Sequence, residues 1–109
     1  MSIFETIFST IKRFVHAGHE MSLDDVNEAL ALRADHEVLA GKEKLAWQTS
    51  VVDLLKLLDL DSGFQARRAL AEELGFQGTF VGTQEQNIAL HKLVMGEVAK
   101  RCIKIPGGD

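Results

Sequence analysis

The 109 residues suffice for one hydrophobic core and fall short of two domains. Apolar residues at 46% and charged residues at 26% describe a folded chain rather than a disordered one, and with six Phe, Trp47 and no Tyr the core should be mainly aliphatic. Sixteen acidic against twelve basic side chains give a net charge of −4, which offers no basic footprint for a phosphate backbone and argues against nucleic acid as a partner.

A single cysteine, Cys102, rules out an intramolecular disulfide framework and a multi-cysteine metal site. A lone thiol fits a reducing compartment, which points to the cytoplasm. No stretch approaches the roughly 18 apolar residues of a membrane span, so no transmembrane segment is expected. The apolar N-terminus is broken by Glu5, Lys12 and Arg13 and reads as part of the mature protein rather than as a signal peptide.

In chain order, Ile3, Phe4, Ile7, Phe8, Ile11, Phe14 and Val15 recur at spacings of three and four and predict an amphipathic helix over residues 1–17, with Ser2 as N-cap and Gly18 as stop. Ser22 opens a second helix, with Asp24 and Asp25 in the first turn where they complement the helix dipole. This helix carries Val26, Ala29, Leu30 and Arg33 towards Leu39 and Gly41, and its thin apolar face places it at the edge of the core. A third helix, starting near Thr49 or Ser50, is apolar around most of its circumference through Val51, Val52, Leu54, Leu55, Leu57 and Leu58, as suits a central position.

Ser62 then reads as the cap of a fourth helix over about 63–74, closed by Gly75. The glycine-rich stretch 76–82 reads as a loop. Thr83 with Gln86 forms a capping-box pattern that opens a last helix running to about Cys102. Residues 22–103 thus form a helical bundle, and 104–109, with Pro106, Gly107 and Gly108, an unstructured tail. The expected fold is all-α, a compact bundle of about five helices in one domain.

Four ordered blocks carry a resemblance. They are Trp47 to Leu58 (WQTSVVDLLKLL), Asp61-Ser62, Ala66 to Gly75 (ARRALAEELG) and Asn87 to Met95 (NIALHKLVM). With the Ser2-Ile3-Phe4 start they resemble the bacterial and phage family catalogued as domain of unknown function 3597, over roughly residues 23–106 plus the first helix. The resemblance implies no particular activity. Some similar proteins carry a peptidoglycan-binding module on the same chain, which implies a cell-envelope or virion setting. Between residues 18 and 22 the chain departs from the longer Ala/Pro-rich linker of the family pattern, which puts a freely tethered first helix in doubt.

Among candidate site residues, Asn87 and His91 stand four apart within the stripe of Ile88, Val94, Met95, Val98 and Cys102, so both should point inward. They would either line a pocket, with His91 as base or ligand, or form a buried polar pair that bonds loop backbone and fixes helix register. The second is the commoner arrangement. Arg67 shares a face with Leu70, Ala71 and Leu74, and Asp53 and Asp61 are its obvious carboxylate partners. Trp47 precedes the central helix and reads as a core anchor.

Asp59, Asp61 and Gly63 suggest a calcium loop, but Leu70 occupies the twelfth position where a bidentate Glu is needed. His16, His19, Glu20 and His36 lack the paired spacing of a metal site. No metal and no cofactor is expected. The helix-loop-helix over 50–74 offers Gln65, Arg67 and Arg68 but also Glu72 and Glu73, which disfavours a DNA-binding role.

The first helix is the most open feature. Its face of Ile3, Phe4, Ile7, Phe8, Ile11 and Phe14 is large for a peripheral helix, and can dock on its own core, swap into a partner or lie on a membrane surface. The function expected from the sequence is a non-enzymatic protein-interaction or structural module acting through this helix, on an unknown protein or by self-association. The alternative is a small envelope hydrolase or carbohydrate-binding domain with a pocket near His91.

Overall fold

A computed structural model of the chain describes residues 2–15 and 20–102. The helices are α1 (Ile3–Phe14), α2 (Leu23–Leu39), α3 (Val51–Leu57), α4 (Phe64–Glu73) and α5 (Gln84–Arg101), and no strand occurs among the described residues. This is an all-α, single-domain bundle. Gly18, the proposed stop of the first helix, and the tail 104–109 lie outside the described residues, as do the far ends of the expected segments 1–17 and 22–103.

Local chemistry sets most helix starts. The Ser2, Ser22, Ser50 and Thr83 hydroxyls each accept from the backbone N–H three residues on, satisfying a donor the helix itself cannot. At Ser22 the box is reciprocal, because the Asp25 carboxylate accepts from the Ser22 N–H at 2.9 Å. The expected Ser62 cap is not formed. The N-cap of α4 is Gly63, which has no side chain to offer; its N–H donates to Asp61 Oδ1 at 2.8 Å, and the Ser62 carbonyl accepts from Arg67 instead. Gln86 also departs from the box pattern. Its side-chain oxygen accepts from Val81 and Gly82, and its amide donates to Thr79, so it organises the preceding loop.

The short α3 is central, with Val51, Leu54, Leu55 and Leu57 buried. It packs on α2 and α5, while α1 packs across α2 and α4. Phe4, Ile7 and Ile11 on α1 meet Val26 and Leu30 on α2, Leu70 on α4, and Leu90, Val94 and Val98 on α5 in one core. Ile88, which the stripe reading of α5 turned inward, is instead exposed, at 43%.

Long-range polar ties hold α1 in place. Both Glu73 carboxylate oxygens accept from the first N–H groups of α1, Ile3 N and Phe4 N, each at 2.9 Å. At the other end of the helix the Arg33 guanidinium stacks over Phe14 at 4.2 Å, while donating to the Leu57 carbonyl at 2.6 Å and to Asp59 at 2.8 Å. Asp59 takes the left-handed φ of 58° to present that carboxylate. Arg101 pairs with Glu5 at 2.7 Å and lies over both Phe4 and Phe8.

Candidate functional site

The segment 42–50 carries no helix, and a turn at its end positions Trp47. The Ala46 carbonyl accepts from Thr49 and Ser50, and the Ala46 N–H donates to Asp53 Oδ2 at 2.8 Å. Asp53 is therefore engaged locally, since its own N–H also donates to Ser50 Oγ. The turn drives the Trp47 indole into the core, where it is 6% exposed, and aims the Trp47 carbonyl at α5.

There His91, 5% exposed, meets that carbonyl through Nε2 at 2.7 Å. A carbonyl can only accept, so Nε2 carries a proton and donates, which leaves Nδ1 as the acceptor nitrogen of the neutral ring. No buried side-chain nitrogen or oxygen among the described residues lacks a partner, and Nδ1 has no partner among those residues, so Nδ1 is not sealed in, and His91 lines a groove.

That groove holds about 530 Å³. Asn27, Glu28 and Ala31 of α2 form one wall, His91 and Met95 of α5 the other, and Trp47 with Gln48 closes the end. A hollow of about 670 Å³ lies between Phe14, Leu32, His36 and Asp59. Size does not make it the better candidate. Its charged groups are already paired, Arg33 with Asp59 at 2.8 Å and Lys42 with Glu37 at 3.2 Å, whereas the first groove is lined by a histidine whose Nδ1 has no protein partner among the described residues.

The other sequence-derived candidates fall elsewhere. Arg67 pairs with neither Asp53 nor Asp61. It donates from Nη1 to Asn87 Oδ1 at 2.8 Å and from Nε to the Ser62 carbonyl at 3.1 Å, and Asn87 returns its amide to the Gly82 carbonyl. Gly82 is required at this junction, because its φ is 79° and a Cβ there would stand 3.2 Å from the Phe64 ring. Asn87 and His91 thus share a helix face but serve different partners, the first at the α4–α5 junction and the second at the groove. Asp61 is exposed and folds back on the Gly63 N–H.

No group of three or more metal-ligating side chains occurs among the described residues. His36 and Glu20 are among those residues, and His16 and His19 lie outside them. Cys102, at the end of α5, is half-buried; burial pushes its thiol up from the ordinary value, and the Asp25 charge adds to the rise. No described helix is long and apolar enough to cross a membrane.

The profile of a family described as "Domain of unknown function (DUF3597)" matches residues 15–106. The chain belongs to the DUF3597 family. This DUF3597 domain is also similar to the solution structure of a conserved unknown protein from Rhodopseudomonas palustris, at 33% identity and a TM-score of 0.64, over 98% of this chain and 97% of that one. No curated protein matches.

For this DUF3597 domain, sequence reasoning reached Trp47 and His91 but missed Asn27, Glu28, Gln48 and Met95. Trp47 and His91 are 44 positions apart and nothing local joins them; only the packing of α5 beside the 46–50 turn does. The Glu73 tie to α1, across 70 positions, likewise had no local signal.

Proposed function

We propose that this DUF3597 domain is a non-enzymatic recognition module whose binding element is the groove at Trp47 and His91. The observation that carries this reading is the unpartnered Nδ1 of a histidine that is otherwise buried. That nitrogen is open to water, so a ligand covering it must donate to it, because an acceptor covered and left unpaired costs about 1–3 kcal/mol. Ala31, Met95 and the Trp47 edge supply apolar contact beside it, the usual makeup of a small recognition site.

Catalysis finds less support. Among the described residues the groove lining holds no hydroxyl or thiol nucleophile, and His91 has its Nε2–H committed to the Trp47 carbonyl. Self-association through α1 requires that helix to leave its own core, because Phe4, Ile7 and Ile11 are buried there and Phe8 and Phe14 lie under Arg101 and Arg33.

The test is an NMR fragment screen with neutral, anionic and cationic compounds, repeated on Ala31→Trp, which fills the groove from an exposed helix position. Hits that shift the Trp47 indole and His91 resonances and vanish in the variant are expected. Hits that ignore those resonances, or survive the filled groove, refute the proposal.

A further inference from the structure

The proposed recognition role leaves the ligand's chemistry open, and the groove's electrostatics narrow it. We infer that the groove takes a basic side chain, a lysine or arginine presented by a partner peptide, with its methylene stem over Ala31 and Met95 and its charged head between His91 Nδ1 and Glu28. This inference rests on the groove being the binding element.

Three observations lead there. In the neutral His91 ring the second nitrogen, Nδ1, is an acceptor, because the Nε2–H bond to the Trp47 carbonyl at 2.7 Å places the one proton on Nε2. Among the described residues the one charged side chain lining the groove is Glu28, a carboxylate, and no described lysine or arginine lines it. Glu28 is exposed and engages in no ion pair or hydrogen bond among the described residues, so its charge is free to pair.

An anionic ligand would meet Glu28 and the imidazole lone pair with nothing to neutralise it. A purely apolar one would leave Nδ1 unpaired. The neutral amides of Asn27 and Gln48 adapt to either sign and do not decide. A long basic side chain satisfies the rest, since its stem packs on apolar surface while its head reaches a carboxylate. The net charge of −4 adds attraction at longer range.

The probe is the blocked tripeptide acetyl-Gly-Lys-Gly-amide, titrated into the full chain and followed on the Trp47 indole and His91 resonances. The same peptide with norleucine, then glutamate, in place of lysine provides the comparison. Saturable shifts are expected with lysine, at least about fivefold weaker binding with norleucine, as loss of a charge-assisted bond implies, and no binding with glutamate. Glu28→Gln, at an exposed position that leaves the fold intact, should bring lysine down to the norleucine level. Equal binding of lysine and norleucine overturns the basic-ligand inference while leaving the groove as the binding element. Fragments that bind there while no lysine peptide does overturn it in the same way. A groove that binds neither peptides nor fragments overturns both.

Discussion

The docking of α1 is decided by Ile7→Ala. Ile7 is fully buried on the helix that the sequence left open between core and partner. Truncation to Ala removes three carbons, about 2.4 kcal/mol of transfer free energy at about 0.8 kcal/mol per methylene. A residual cavity raises the total to about 3–4 kcal/mol, within the range for buried Ile→Ala changes. With a urea slope of about 1.5 kcal/mol/M, the unfolding midpoint should fall by about 2 M. Ile11→Ala, one turn further along and also fully buried, should cost a similar amount, and the double variant should fall short of the sum because the two cavities merge.

The assay is urea unfolding followed by far-UV circular dichroism, at two protein concentrations and with light scattering on the same samples. A midpoint that falls by about 2 M independently of concentration is expected for a helix docked on its own chain. A loss below about 0.5 kcal/mol, the usual size of a surface substitution, would refute the docking. A midpoint that moves with concentration, on a particle of twice the mass, would instead show α1 seated on a second copy.

Three further outcomes follow from polar contacts. Glu73→Ala, which strips the carboxylate from the first turn of α1, should cost about 1–2 kcal/mol in the same urea assay, and Glu73→Gln less, because one acceptor oxygen remains. Glu5 is held below the ordinary carboxylate range by the hydrogen bond from Arg101, with the Arg101 and Lys12 charges adding and desolvation opposing. A lowered folded value means that the unfolded chain binds the proton first, so this contribution is full above the unfolded value and lost as pH falls through the folded one. The melting temperature of Glu5→Gln should therefore decline less on acidification than that of the wild type. Cys102, its thiol pushed up by burial and by Asp25, should react more slowly with a disulfide reagent at mildly alkaline pH than it does in the urea-unfolded chain. Equal rates would contradict its half-burial.

Much of the fold was legible because its signals are local. Ser2, Ser22 and Thr83 cap through hydroxyls acting three residues away, and the runs of Ile, Leu and Val repeat with the helical period. The Ser62 cap failed by one residue, because a glycine beside a serine offers two possible starts and the choice fell to Arg67, which claims the Ser62 carbonyl. Arg67 defied its sequence partners for a related reason. Asp53 is consumed by the Ala46 turn and Asp61 by Gly63, so the guanidinium turns to Asn87, twenty positions away, across a junction that only the assembled helices create.

The size of the α1 face shows how a sequence pattern can suggest a partner that the chain itself supplies. Three Phe and three Ile exceed what a helix resting on one neighbour needs, but α1 rests on both α2 and α4, and each of its six apolar side chains has a place. Phe4, Ile7 and Ile11 fill the core, and Ile3 packs against it beneath the Glu73 clamp. Phe8 lies under Arg101 and Phe14 under Arg33, where a guanidinium covers an aromatic face and keeps its charged edge in water. Those arginines come from α5 and α2, respectively 93 and 19 positions away. A periodicity plot records the apolar stripe and is blind to such covers. With α1 accounted for inside the chain, the proposed recognition role is better sought at the groove beside His91, whose Nδ1 has no partner among the described residues, than on the most hydrophobic helix.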